Sequence, residues 1–330
     1  MPVPRFLLSA LLCCASLASS SDLRQVGMVN LPGSPGFAQL AFANGMLLLT
    51  HTGASTVDVF DPVRRRLVAQ ITGLRSPCAV AVDDRGGRVY VGDRGSNSIA
   101  VVSTDGWKVI DSIPLPGSPD GLLWDGADML YWADAGAGTV SLLDLRTKQT
   151  TARVEVGGTL RHMVLDSTRH LVFATLQDVH QIIAIDPQLK IVSRFTLQAS
   201  QPTGLLYDPQ YRELYVAVRY AVLAISPDTG AEIDRVAAPA GVDALWLDSG
   251  SHTLYAASEG SLLAMHANGR LSAGEEITPQ IKAHSVAFDP GRRLVLLPGG
   301  REGKSKLLML RPMTPNAPPG TAQDTEAAVR

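Results

Sequence analysis

Short apolar runs recur along the chain. Each run ends in an aspartate and is followed about seven residues later by a tyrosine or another large apolar residue, as in residues 79–83 with Tyr90 and 205–208 with Tyr215. The anchor aspartates are Asp83, Asp125, Asp166, Asp208, Asp248 and Asp289, at spacings of 42, 41, 42, 40 and 41 residues. One repeat further back, residues 40–43 form a seventh copy without the aspartate. This spacing predicts seven structural repeats.

Each repeat contains four strand-like patterns separated by turn residues. In the second repeat they are residues 79–83, the segment around Tyr90, residues 98–102 and a more polar segment at 108–113. The anchor aspartate can accept a backbone N–H two residues on and so start a turn. Four strands every 40–45 residues are typical of β-propellers, whereas an open sandwich shows no such period. We therefore predict an all-β, seven-bladed β-propeller of four-stranded antiparallel blades.

The two ends of the repeat region complement each other. The seventh repeat stops after its third strand, at residues 306–310. Residues 26–33 are similar in sequence to the fourth-strand segment at 110–117. We predict that the N-terminal strand completes the last blade and closes the ring. An open sheet edge would otherwise remain there.

The chain outside the repeats has a different composition. Residues 1–18 have the pattern of a secretory signal: Arg5, an apolar run over residues 6–17, and small residues at Ser16 and Ala18. The run is too short for a membrane anchor, which needs about 20 apolar residues. Cleavage would leave Cys78 as the one cysteine. We expect an exported protein, periplasmic or extracellular and not inserted in the membrane, with its propeller at 22–312 and a disordered tail at 313–330.

Composition narrows the classes of partner. The formal net charge is -2 and 18% of the residues are charged, which gives no general attraction for nucleic acid. The sequence contains no phosphate-binding loop, GxSxG elbow or HExxH zinc motif. We predict no cofactor. A divalent metal would need Asp120, Asp243 and His284 together.

The repeat resembles a known family. Residues 96–102, followed by 113–121, are similar to the YVTN-type repeat of exported microbial seven-bladed propellers, and residues 90–93 approximate the tetrapeptide. Residues 130–134 resemble the YWTD repeat of receptor propellers in one unit. The resemblance implies the fold and leaves the function open, because its defining residues build the blade.

Charged residues collect where loops should surround the channel mouth. The residues five before each anchor are Ala38, Cys78, Asp120, Arg161, Thr203, Asp243 and His284. The turns between second and third strands add His51, Asp93, Arg94, Asn97, Asp134, Asp178, His180, Arg219, Glu259 and Arg301. From these, and from His162, we predict the ligand-binding set Asp120, Arg161, His162, Asp243, His284, Arg94, Asn97, Arg219 and Glu259, with no catalytic or metal-binding residue.

Each candidate has a structural alternative. Asp93 and Asp134 occupy positions where an aspartate caps a turn, and Asp120 and Asp243 either bind ligand or accept loop amides. The guanidinium groups of Arg161 and Arg219 suit a carboxylate, but ion pairs with Asp120 or Asp243 would use the same groups. Cys78 is either a buried structural thiol or a nucleophile.

These observations favour a binding platform for a protein partner or a small anionic molecule at the channel mouth. One alternative is a lactonase-type or other metal-dependent hydrolase, because some seven-bladed propellers that the chain resembles have that activity. A second is a non-catalytic subunit that docks a redox partner, as in amine-dehydrogenase propellers.

Overall fold

The computed structural model describes residues 23–313 and shows 28 strands in seven four-stranded antiparallel sheets. The predicted signal, and all of the predicted tail except Met313, lie outside this range. The strands are β1 (Leu23–Asn30); β2 (Leu40–Ala43), β3 (Met46–His51), β4 (Thr56–Asp61) and β5 (Arg66–Ile71) of blade 1; β6 (Pro77–Asp83), β7 (Arg88–Asp93), β8 (Ser98–Ser103) and β9 (Lys108–Pro114) of blade 2; β10 (Gly121–Trp124), β11 (Met129–Asp134), β12 (Thr139–Asp144) and β13 (Gln149–Glu155) of blade 3; β14 (Leu160–Asp166), β15 (Leu171–Leu176), β16 (Gln181–Ile185) and β17 (Ile191–Thr196) of blade 4; β18 (Leu205–Asp208), β19 (Glu213–Val218), β20 (Ala221–Ile225) and β21 (Glu232–Ala237) of blade 5; β22 (Ala244–Asp248), β23 (Thr253–Ala257), β24 (Leu262–Ala267) and β25 (Leu271–Ile277) of blade 6; and β26 (Ala287–Asp289), β27 (Leu294–Arg301) and β28 (Lys304–Pro312) of blade 7. Two short 3-10 turns, Thr52–Ala54 and Arg94–Ser96, follow β3 and β7.

The ring closes through blade 7, as the sequence predicted. β1 pairs antiparallel with β28, so the N-terminal strand is the outermost strand of the last blade. It begins at Leu23, three residues earlier than predicted, because β28 extends to Pro312 and pairs with these residues past a bulge at Val26. Leu31 N–H continues the pairing by donating to Ser305 O at 3.0 Å.

The anchor aspartates perform the predicted turn role. The side chain of Asp125 accepts the N–H of Ala127 at 2.8 Å, and Asp208 accepts that of Gln210 at 2.8 Å. Asp166 and Asp248 repeat this bond two residues on. At Asp83 and Asp289 the donor is the N–H three residues on, in a turn of the same length.

The core is divided among the junctions between blades. Seven apolar clusters are present in the described part of the chain, and each joins two neighbouring blades. Trp132, which is fully buried, packs between blades 2 and 3, and Tyr255 packs between blades 6 and 7. Each blade therefore buries both faces against its neighbours, which explains why the middle strands are continuous apolar runs. Within residues 23–313, no helix is long and apolar enough to cross a bilayer.

Half-buried apolar side chains of the innermost strands pack against the clusters between blades. The innermost strands carry Phe42, Trp124, Leu206 and Trp246 at partly exposed positions. The Trp246 ring meets the Phe42 ring edge-on at 6.0 Å.

Candidate functional site: the channel mouth

The loops before the innermost strands and the turns between second and third strands share one face of the ring, because successive strands alternate in direction. We call this the mouth face. Neighbouring blades contact each other there at or beside the predicted positions. Ser285 Oγ donates to Ala38 O at 2.5 Å, and Thr203 Oγ1 donates to Val242 O at 2.6 Å. These bonds join blade 7 to blade 1 and blade 5 to blade 6 on the mouth face.

Three of the predicted residues meet across three blades. Arg161 Nη2 lies 3.9 Å from Asp243 Oδ1, and His284 Nδ1 lies 3.4 Å from Asp243 Oδ2. Arg161 begins blade 4, Asp243 precedes blade 6 and His284 precedes blade 7. All three side chains are between 39% and 50% exposed. The carboxylate of Asp243 therefore lies between two basic groups that solvent reaches.

The charges continue from the mouth towards blade 7. Glu259 Oε1 lies 2.8 Å from Lys282 Nζ, and the two side chains are exposed. The hydrogen bond from Lys282 holds the pKa of Glu259 below its usual value. The hydrogen bond to Asp243 raises the pKa of His284, against the opposing effect of burial, and Glu259 adds to the rise. Basic and acidic groups thus alternate through Arg161, Asp243, His284, Glu259 and Lys282, which we call the charge array.

The loop that carries Lys282 and His284 has the two-residue period of a strand. Ile281, Ala283 and Ser285 are buried, whereas Lys282 and His284 are exposed. Lys282 exchanges two backbone hydrogen bonds with Gly300, at 2.8 and 2.9 Å. Because residues i and i+2 of an extended segment point the same way, both bases lie on one face of a fixed loop, roughly 6.6 Å apart along the chain.

A cleft of about 440 Å³ adjoins the charge array. Its charged side is formed by Glu259, Lys282 and His284, and its apolar side by Pro35, Phe37 and Pro298. Gly299 and Gly300 leave its floor without side chains. A Cβ on Gly299 would lie 2.3 Å from Lys282 O, so close backbone packing requires glycine there. The volume is in the range of small-molecule sites.

Other predicted residues lie apart from the charge array. Asp120 is engaged by Arg94 Nη1 at 3.2 Å and by the N–H of Ala135 at 3.0 Å. Asn97 caps a 3-10 turn at a φ of 49°, and its N–H donates to Arg94 O at 3.4 Å. The bond from the Ala135 N–H is the structural alternative foreseen for Asp120, whereas the contact with Arg94 was not foreseen. The set Asp120, Asp243 and His284, which the hydrolase alternative needs, is divided between the two groups.

His162 has a different environment. Its side chain is partly accessible, but the surrounding protein disfavours the charged form, and the neighbouring Arg161 adds to this effect. Together they lower the pKa of His162 to about 4. The ring is therefore neutral at pH 7 and provides no fixed charge for an anion.

Arg219 contacts an exposed tyrosine instead of Asp120 or Asp243. Its guanidinium carbon lies 5.3 Å from the centre of the Tyr220 ring, and Tyr220 is 60% exposed. Both residues line a second groove of about 340 Å³ beside Ala199 and Arg235. The predicted set is thus divided among three places on the mouth face.

The turn aspartates hold the loops of the mouth face in place. Asp93 accepts the N–H groups of Arg75 and Ser76, at 3.0 and 2.6 Å. Asp134 accepts the N–H of Ser118, and Asp178 accepts that of Thr159. In blades 2, 3 and 4, the aspartate at or just after the end of the second strand fixes the loop that leads into the first.

Cys78 is a buried thiol. Its Sγ donates to Pro119 O at 3.2 Å, and burial raises its pKa to about 12. The thiol therefore stays protonated, which is unlike a nucleophilic cysteine.

Sequence reasoning missed a buried network behind the cleft. His51 Nδ1 lies 2.7 Å from Asp58 Oδ2, and its Nε2 lies 2.8 Å from Ser34 O and 3.2 Å from Ser305 Oγ. The Phe37 ring stacks on His51 with centroids 4.1 Å apart. His51 was assigned to the mouth loops, but Asp58 and Ser305 carry no motif that could have revealed them.

This serine–histidine–aspartate arrangement does not fit a nucleophile and its base. All three residues are buried. Nε2 faces the carbonyl of Ser34, which only accepts hydrogen bonds, so this nitrogen donates and cannot take a proton from Ser305. Ser305 Oγ instead donates to Gly33 O at 2.9 Å. The network fixes the segment between β1 and β2, which contributes Pro35 and Phe37 to the apolar wall of the cleft.

Comparison with solved structures agrees with the propeller fold. A chain of hydrazine synthase from Kuenenia stuttgartiensis is similar with a TM-score of 0.69 at 14% identity, over 82% of this chain and 94% of that one. A chain from a mitotic checkpoint complex has a TM-score of 0.76 at 13% identity, over 95% of this chain and 99% of that one. At such identities the likeness shows the fold alone. No protein-family profile and no curated protein sequence matches the chain.

Proposed function

We propose that the protein is a binding platform whose channel mouth holds an anionic group of a protein partner or small molecule, without catalysing a reaction. The observation that carries the proposal is the placement of Asp243 between Arg161 and His284. With His284 protonated, the charge array contains three positive and two negative side chains. This excess of one positive charge favours an anion.

The rigidity of the fold supports the proposal. Arg161, Asp243 and His284 belong to three blades, and the blades are held by apolar clusters at every junction of the described ring. A site built on rigid elements loses little conformational freedom on binding. We further propose that the protein is exported, from the signal pattern in residues 1–18 and the YVTN-type repeat.

The test compares two double variants in a thermal-shift screen of carboxylates and phosphates. Arg161→Gln/Asp243→Asn breaks the mouth pair. Arg146→Gln/Asp128→Asn breaks an exposed pair of 3.3 Å on the opposite face and is the matched control. A ligand at 100 times its Kd adds about 2.7 kcal/mol, which raises the thermal midpoint by roughly 4–5 °C at this chain length. We expect shifts for the wild type and the control. The mouth variant should show reduced shifts, because it loses the Arg161 guanidinium and also the bond from Asp243 that favours the charged form of His284. Equal shifts in all three proteins would reject the mouth as the site.

A further inference from the structure

We propose that the cleft beside the charge array binds a monocarboxylate with an apolar body, either a free acid or the C-terminal residue of a peptide. The proposal rests on the function proposed above and specifies its ligand. The carboxylate would bind Lys282 and His284, and the apolar body would pack on Phe37, Pro35 and Pro298.

The first argument is the division of the cleft into two sides. One side presents Lys282 and His284 on the same face of a loop, and the other presents one aromatic and two proline rings. A ligand that is charged at one end and apolar at the other matches both sides. A purely polar anion would leave the apolar wall uncovered.

The second argument is that the basic groups are available to a ligand. The Lys282 and Glu259 side chains are 76% and 57% exposed. Exposed ion pairs contribute little to stability, so a competing carboxylate can displace Glu259. His284 is 50% exposed and sits 3.4 Å from Asp243. Glu302, a further acid of the cleft, is 83% exposed and lies 3.8 Å from Arg301.

The third argument is that the cleft is already formed. The loop bearing both bases is held by the paired hydrogen bonds between Lys282 and Gly300. The opposite wall is held because Phe37 stacks on His51, which is fixed by Asp58. Neither wall has to be ordered when a ligand binds, and this preorganisation favours affinity.

Protonation of His284 should control binding. The charged groups around it are Asp243 and Arg161 from the mouth, and Glu259 and Lys282 from the cleft. The charged form of His284 attracts the carboxylate, so affinity should fall as the pH rises through the pKa of His284. Lys282 remains charged over this range.

The probe is 3-phenylpropionate, measured by calorimetry on the full chain at pH 6 and pH 8. We expect it to bind, with its neutral amide binding at least about tenfold more weakly because a charge-assisted hydrogen bond is lost. Lys282→Met and His284→Gln should each weaken binding by about tenfold, and His284→Gln should also remove the pH dependence. The controls are Lys148→Met, which breaks a surface ion pair with Asp111 of β9 away from the mouth face, and the exposed His266→Gln.

A second arm distinguishes the two sources of the carboxylate. N-acetyl-Gly-Phe is compared with its C-terminal amide: tighter binding than phenylpropionate assigns the site to peptide ends, and weaker binding assigns it to free acids. Three results would overturn the proposal. They are equal binding of acids and amides, no binding of either acid, and unchanged affinity in the Lys282 and His284 variants. The mouth could still respond to Arg161→Gln/Asp243→Asn in that case, so failure of the cleft is distinguishable from failure of the platform.

Discussion

The Nδ1 atom of His51 lies 2.7 Å from Oδ2 of Asp58, and neither side chain is reached by solvent. Asp58 also accepts hydrogen bonds from Thr56 Oγ1 at 2.9 Å and Gln70 Nε2 at 2.8 Å. The pair therefore joins three strands of blade 1 to the segment that arrives from blade 7.

Replacing Asp58 by alanine should destabilise the protein strongly. Breaking a buried pair by removing one partner costs about 3–5 kcal/mol, because the other partner is left buried and uncompensated. The free energy of unfolding in urea measures this loss. Asp128→Asn, which breaks an exposed pair, should cost less than about 1 kcal/mol. Similar losses in the two variants would contradict the role assigned to Asp58.

Asp93→Ala should lower stability without changing ligand binding. The variant leaves the N–H groups of Arg75 and Ser76 without their acceptor, which costs about 1–3 kcal/mol. Urea unfolding gives the stability, and calorimetry with 3-phenylpropionate gives the binding. Asp105→Ala, at an exposed turn, is the control. Lost affinity in a folded Asp93→Ala protein would show that Asp93 belongs to the binding site.

Stability should rise with pH between about 4 and 6.5 because of His162. Burial lowers the pKa of this ring to about 4, so the unfolded chain binds the proton over that interval and the folded chain does not. Each pKa unit corresponds to about 1.4 kcal/mol, and the ring is partly accessible, so we expect roughly 1–3 kcal/mol. Urea unfolding at several pH values should show a flatter profile for His162→Gln than for wild type. An identical profile would refute the assignment, and His266→Gln serves as the control.

Removal of divalent metals should leave the thermal midpoint unchanged. Within residues 23–313, no three histidine, cysteine or acidic side chains lie close enough together to hold an ion. Unfolding before and after EDTA, and then with calcium, zinc or manganese added back, provides the test. A reversible shift of the midpoint would favour the metal-dependent hydrolase and justify a screen of lactones.

The fold could be predicted because its signals are local and repeated. The anchor aspartates mark the same turn in six blades, and the similarity between residues 26–33 and 110–117 identified the closing strand. The position of Asp243 near His284 could be expected from its place in the repeat. Its contact with Arg161, two blades away, depends on how a long side chain crosses the mouth, and no periodicity specifies this.

The cleft could not be predicted for a related reason. Its apolar wall comes from the segment around Phe37, and its charged wall comes from Lys282, more than 240 residues later in the chain. Lys282 lies two residues before the predicted ring position at His284, so the rule that selected channel-mouth residues passed over it. The alternation over residues 281–285 is visible in the sequence and was the one signal that could have revealed it.

Pairing of β1 with β28 also sets the order in which the molecule can be completed. Leu23 is among the first described residues to leave the ribosome and Pro312 among the last, yet they are partners in one sheet. Six blades can form as the chain emerges, but β1 cannot pair with β28 until residues 304–312 have been synthesised. Contacts between such distant residues slow folding. A chain interrupted anywhere before β28 would therefore keep an unclosed ring, however much of the propeller it had already built.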